Sequence, residues 1–288
     1  MSVSIILAVQ ARMAGTRQPG KVMLPIGYKP MLLHVMQRMV RMQIMDYVET
    51  GLCRTDAKED WLVQAWAEQF HFRRVAIGKP LDMWPQFWDV SRDYDYCMRV
   101  CGDQPLFSIE LARLLLLEVR MHPGADYYGW VTPNGWPASQ TRLGLTTEVF
   151  RRGAMHSRNQ LNPESREHVT TEFYRHPERY NVRMLKLPEA PLVERCCCTV
   201  DNLDDARAVD MIVKDCNPHE PERIDRGHIV RWFREAEKKD LATINQTVRK
   251  EYDGPTYKVE ALKWEHILSL RSDKTITEVS SSQPSSSG

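Results

Sequence analysis

The sequence predicts an α/β protein, a mostly parallel Rossmann-like sheet flanked by helices. Two observations carry that expectation. Short apolar runs alternate with helix-length segments, the pattern of strands joined by helical crossovers. The first run, residues 3–9, empties into a polar, cationic, glycine-bearing loop at residues 10–25, and in such folds ligands sit at the carboxyl ends of the strands. At 288 residues the chain can bury a large core in one domain, or two small ones.

The elements follow in order. Residues 3–9 are a strand. Residues 30–42 carry Met31, Leu32, Val35, Met36 and Met39 at helical spacing, and these methionines are read as core packing. Residues 47–52 are a second strand, followed by a helix that Asp56 caps and that runs to residue 70. Residues 73–77 are a third strand, and 80–92 a helix in which Trp84, Phe87 and Trp88 pack onto the sheet or line a pocket. A fourth strand at 95–101 runs into Gly102-Asp103-Gln104-Pro105. A helix at 108–121 and a strand at 126–131 follow, then a Pro/Gly/Asn loop at 132–140. The remainder reads as a helix at 164–176, strands at 183–186 and 196–200, and a helix at 202–215. Residues 1–250 form the main domain, 251–274 a C-terminal extension with a helix at 259–270, and 275–288 a disordered serine-rich tail.

Composition narrows the function. Hydrophobic residues make up 42% and charged residues 27%, ordinary for a globular protein. The net charge of +1 recruits neither nucleic acid nor a membrane. No apolar run is long enough for a secretory signal or a membrane span, so a cytoplasmic location is expected. Seven cysteines without regular spacing make a poor disulfide framework. Cys196, Cys197 and Cys198 are adjacent, so on a strand they face alternate sides; they cannot form one zinc site and are read as buried apolar residues.

The loop after the first strand carries Arg12, Arg17 and Lys21 within ten residues. Cations and close-approaching backbone amides suit phosphate groups, although a solvated basic loop has the same composition. The run lacks Gly-x-x-x-x-Gly-Lys-Ser/Thr, because Lys21 is followed by Val22, and it lacks Gly-x-Gly-x-x-Gly. Two acids end predicted strands. Asp103 is either a turn-forming residue before Pro105 or a metal ligand. Asp201 is either a helix N-cap or a metal ligand.

Gln10-Ala11-Arg12-Met13, Thr16-Arg17 and Pro19-Gly20-Lys21 resemble the first-loop signature of the SpsF-like cytidylyltransferases, Gln-Ala-Arg-Met-Gly-Ser-Thr-Arg-Leu-Pro-Gly-Lys. The chain departs from it at Ala14, Gly15 and Gln18. Gly102-Asp103-Gln104-Pro105-Leu106 and Thr199-Val200-Asp201 resemble the family's Gly-Asp-x-Pro-Leu and Thr-Val-Asp segments. Arg166-Glu167-His168-Val169-Thr170 resembles its Arg-Glu-His-Val-Thr-Pro segment. The resemblance spans residues 3 to about 215 and is weakest at 125–160, where Thr146 replaces an acidic residue.

The resemblance implies a nucleotide-diphospho-sugar transferase (GT-A-like) architecture and a Mg²⁺-dependent nucleotidyltransferase. CTP would be joined to a small anionic acceptor, such as a sugar acid, with release of pyrophosphate. Arg12, Arg17 and Lys21 would grip the triphosphate, in a nucleotide site that also includes Ala11, Gly15, Thr16 and Gly102. Asp103 and Asp201 would hold the metal, and Arg166 and His168 would face the acceptor. Main-chain groups of Leu7, Ala8, Val9 and Gln10, with Gly78 and Asp82, would read the base. A homodimer is expected by analogy alone. The alternatives are a phosphonate or phosphorylated-polyol acceptor, or a nucleotide-binding module without turnover.

Overall fold

A computed structural model of the protein describes residues 3–15, 18–155, 161–188, 196–238 and 253–257. The fold is built on a seven-stranded sheet of β1 (Ile5–Gln10), β4 (Glu49–Thr55), β5 (Arg74–Gly78), β6 (Tyr96–Cys101), β7 (Tyr127–Val131), β8 (Glu148–Arg151) and β9 (Val182–Lys186). Their order is β5-β4-β1-β6-β8-β7-β9. The ladders joining β5, β4, β1 and β6 are parallel, β8 runs antiparallel to β6 and β7, and β9 is parallel to β7. The mostly parallel sheet expected from the alternation is therefore present.

The chain leaves β1 for β4 on one side and returns to β6 on the other. The carboxyl ends of β1 and β6 consequently flank a topological switch point, with Gln10 opposite Cys101, where a crevice opens. β1 is apolar on both faces because both are covered. Leu7 and Val9 join one core with Leu52, Val100 and Val200, while Ile6 and Ala8 join the other with Met83, Trp84, Phe87 and Phe173.

Helix α1 (Met31–Asp46) buries Met31, Leu32, Val35, Met36, Met39 and Met42, so its methionines are core residues. A two-stranded hairpin, β2 (Pro25–Ile26) and β3 (Lys29–Pro30), precedes it. Helix α2 (Trp61–Gln69) starts later than expected. Asp56 does not cap it; its carboxylate pairs with Lys79 at 2.6 Å. Helix α3 (Trp84–Val90) is only seven residues, because Leu81 takes a left-handed φ of 62° that no helix accommodates. Trp84 and Phe87 are buried against the sheet and Trp88 is partly exposed. Helix α4 (Ile109–Met121) is capped by Ser108, whose hydroxyl accepts from the Leu111 amide.

Three sequence expectations need correction. The helix placed at 164–176 is two short ones, α5 (Pro163–Glu167) and α6 (Thr171–Arg175), interrupted at His168–Thr170, where the β-branched Val169 and Thr170 disfavour helix. Residues 196–200 are buried but form no sheet ladder; the Cys198 and Val200 amides instead donate to loop carbonyls of Leu143 and Asp103. The sequence reading also passed over β8, a four-residue strand. Helices α7 (Leu203–Cys216) and α8 (Arg226–Lys238) close the main body. Of the proposed C-terminal extension, residues 253–257 are described, and the Tyr257 amide donates to the Gly135 carbonyl at 2.8 Å. The helix proposed at 259–270 and the tail lie outside the described residues. Among the described residues no helix is long and apolar enough to cross a membrane.

Candidate active site

A cleft of about 370 Å³ lies at the switch point, lined by residues of the β1 loop, the β6 loop, the α5–α6 connection and the start of α7. Its floor is the β1–β6 junction, where the Gly102 amide donates to the Gln10 carbonyl at 2.8 Å.

The loop after β1 is folded back on itself. The Gly20 amide donates to the Met13 carbonyl at 2.7 Å, and Gly20 holds φ 69°, a conformation cheap only for glycine. Lys21 follows directly and turns into the cleft. The tight winding also accounts for Gly15, where the family signature has serine. A Cβ there would lie 2.7 Å from the Gln18 carbonyl oxygen. Thr16 and Arg17 lie outside the described residues.

Lys21, Asp103 and Asp201 meet in space. The Lys21 Nζ lies 2.7 Å from Asp103 Oδ2 and 3.3 Å from Asp201 Oδ1, partners 82 and 180 residues away in sequence. Burial alone would lower the lysine pKa, but the two carboxylates outweigh it and hold the ammonium above its ordinary value. Asp201 is set by its surroundings. Its own amide donates to Asp205 Oδ2 at 2.9 Å, within a capping box built by Asn202 and Asp205 at the start of α7. Arg142, from the loop before β8, pairs with Asp205 and places its Nε 3.8 Å from Asp201 Oδ2.

Two carboxylates converging on one cation form a hard-oxygen donor pair. That pair fits Mg²⁺, which commonly takes one or two carboxylates and leaves the other positions to phosphate oxygens and water. Among the described residues no group of three or more His, Cys, Asp and Glu forms a metal cage. Any metal here therefore depends on oxygens from elsewhere.

Arg12 enters the cleft from the β1 loop, and its Nη2 lies 2.9 Å from Oε1 of Glu167 at the end of α5. Beneath the cleft, Arg99 is anchored by Glu148 at 2.8 Å and donates through Nε and Nη2 to the Gln10 side-chain carbonyl at 3.2 and 3.1 Å. Glu148 also accepts from Tyr127 at 2.6 Å and Thr170 at 3.0 Å, so both buried charges have hydrogen-bond partners. Cys101 also lines the cleft. Burial pushes its thiol up to about 12, away from thiolate character.

The structure thus gathers Gln10, Ala11, Arg12, Gly15, Lys21, Gly102, Asp103, His168 and Asp201 around one cleft. The structure places the other expected residues that it describes outside the lining of this cleft. Leu7, Ala8 and Val9 are fully buried, and β1 is paired on both edges, so their main chain is engaged in the sheet. Gly78 ends β5, two strands from β1, about 10 Å away by strand spacing. Neither Gly78 nor Asp82 lines the cleft, and nor does Arg166, whose carbonyl instead accepts from the Met83 amide at 2.8 Å. Sequence reasoning missed Glu167, Arg99, Glu148, Arg142 and Asp60. Glu167 lay within a quoted motif, between the two residues singled out. Arg99 sits within the apolar run read as the fourth strand, where a charge is itself a signal, and Glu148 lies in the weakly matching stretch at 125–160; Arg142 and Asp60 carry no local pattern that tells them from surface charges.

Known proteins share this sequence pattern and fold. The family model described as cytidylyltransferase matches residues 6–226. An uncharacterized protein of Methanocaldococcus jannaschii is 28% identical over 207 residues, covering 70% of this chain and 80% of its own length. The spore coat polysaccharide biosynthesis protein SpsF of Bacillus subtilis is 26% identical over 211 residues, covering 71% and 84%. Among solved structures, a cytidylyltransferase from Leptospira borgpetersenii superposes with a TM-score of 0.71 at 18% identity, covering 86% of this chain and all of that one. A CMP:2-keto-3-deoxy-manno-octonic acid synthetase complexed with CTP gives 0.54 at 16% identity, covering 74% and 99%. At these identities the two structures speak to the fold.

Proposed function

The chain belongs to the cytidylyltransferase family, and from that premise we propose that it joins CTP to a small anionic acceptor and releases pyrophosphate in a Mg²⁺-dependent reaction. The observation that carries this reading is the meeting of Lys21 with Asp103 and Asp201 beside Arg12, in one cleft at the switch point.

In the proposed reaction an acceptor oxygen attacks the α-phosphorus of CTP. A bond forms between that oxygen and phosphorus, the bond from phosphorus to the pyrophosphate oxygen breaks, and the acceptor proton passes to solvent. Little covalent work falls to the protein, which positions the reactants and neutralises charge. Arg12 and Lys21 grip the triphosphate and stabilise charge gathering on the leaving pyrophosphate. Asp103 and Asp201 hold Mg²⁺, whose chemistry is to polarise phosphoryl oxygens. His168, on the α5–α6 connection, faces the acceptor side. Arg166 supports that connection through its backbone and is not a cleft residue.

The Bacillus relative is a spore coat polysaccharide biosynthesis protein, which supports an acceptor of carbohydrate class. The test is pyrophosphate release from CTP and Mg²⁺ with sugar acids, phosphorylated polyols and phosphonates as acceptors. A parallel thermal-shift series with CTP, UTP, ATP and GTP fixes the base. Ligand at 100 times its dissociation constant stabilises by about 2.7 kcal/mol, enough to read. CTP binding without pyrophosphate release for any acceptor would favour a nucleotide-binding module instead.

A further inference from the structure

Among the described residues, the three cationic side chains lining the cleft, Arg12, Lys21 and Arg99, each face a carboxylate. Two of these pairings already have a use. The Lys21 partners are the carboxylates assigned to the metal, and Glu148 anchors Arg99 beneath the cleft. Glu167 is different, because it lines the proposed phosphate-binding cleft and neither the proposed metal nor the buried scaffold employs it.

Its backbone is tethered on both sides. The Arg166 carbonyl accepts from the Met83 amide at 2.8 Å, and the His168 amide donates to the Glu164 carbonyl at 2.7 Å. Arg12, by contrast, reaches it at the end of a long side chain, through one terminal nitrogen. Both partners keep some solvent contact, 22% for Arg12 and 30% for Glu167, so the pair is of modest strength and exchangeable.

We propose that Glu167 sets the nucleotide affinity of this enzyme by occupying Arg12, so that the triphosphate tail of an incoming nucleotide must take the guanidinium from it. The argument rests on the CTP reading above. A carboxylate and a polyphosphate compete for the same fork of donors, and the phosphate offers more charge and more acceptors. The residue therefore trades nucleotide affinity for a link between the β1 loop and the α5–α6 connection on the acceptor side.

The test is calorimetric titration of the full chain with CTP in excess Mg²⁺, with no acceptor present. Glu167→Gln is expected to bind CTP about tenfold tighter than wild type, and Glu167→Ala to change in the same direction, with thermal midpoints checking that each variant folds. The gain must disappear when either change is made in an Arg12→Gln background, because it acts through Arg12. Unchanged or weaker binding in both Glu167 variants overturns the proposal. So does a gain that persists without Arg12, which would reflect removal of a negative charge alone. Absence of CTP binding by the wild type would instead refute the nucleotide reading on which the proposal stands.

Discussion

The carboxylate of Asp60, fully buried at the start of α2, accepts a hydrogen bond from the backbone amide of Met13 at 2.7 Å. Its second oxygen accepts from the amide and hydroxyl of Thr55 at the end of β4. One side chain thus ties the loop after β1 to the neighbouring strand, and so fixes the approach of Arg12 and Lys21 to the cleft.

Replacing Asp60 should therefore damage both stability and nucleotide binding. Hydrogen bonds to a charged group are worth about 1.5–3 kcal/mol each, and donors left buried and unpaired add to the loss. Asp60→Ala is expected to destabilise the protein by about 3 kcal/mol in urea unfolding. It should also weaken CTP binding although Asp60 lies outside the cleft. Asp60→Asn, which keeps an acceptor, should fall between the two.

Lys21→Ala should leave the fold intact and lower turnover by about 10²–10³-fold, the range seen when one preorganised donor to developing charge is removed. Circular dichroism with pyrophosphate-release kinetics would show it, and wild-type rates would remove Lys21 from the reaction. Asp103→Asn and Asp201→Asn should each shift the Mg²⁺ concentration needed for half-maximal rate upward, and an unchanged Mg²⁺ response would refute the metal assignment.

His34 supplies a pH prediction. It is buried in α1, with Nε2 2.8 Å from the Ile26 carbonyl. Burial lowers its pKa to about 4, the Ile26 carbonyl recovering part of the shift. The imidazole is thus neutral in the fold, whereas the unfolded chain takes up a proton below about 6.5. The unfolded state then binds more protons, so stability falls as pH drops from about 6.5 to about 4 and levels off below. The loss amounts to about 3 kcal/mol from this group. His34→Gln should flatten the fall in that window, measured as urea midpoints at pH 7, 5.5 and 4.

At the C-terminal end, Tyr257 is hydrogen-bonded to the carbonyl of Tyr174 on α6, and Arg175 pairs with Asp253 at 2.9 Å. Removing residues 275–288 is expected to leave activity unchanged. Ending the chain at residue 252 should loosen α6, which carries the aromatic stack of Phe173 on Trp84 and Phe150, and lower the thermal midpoint. Equal midpoints for the two truncations would count against a structural role for residues 253–257.

By itself the sequence determined the alternating α/β architecture, the loop after β1 and the two distant acids. Each is written locally, in hydrophobic period, in turn and cation chemistry, or in a contiguous family signature. Interruption of the α5–α6 helix, burial of Leu7, Ala8 and Val9, and the placement of Gly78, Asp82 and Arg166 outside the lining of the cleft were decided by tertiary structure. So were the roles of Asp60, Arg99, Glu148 and Glu167. The reason is physical: a charged side chain acquires its function from what the fold sets against it, and the pairing of Arg12 with Glu167, 155 residues apart, is written in neither local segment.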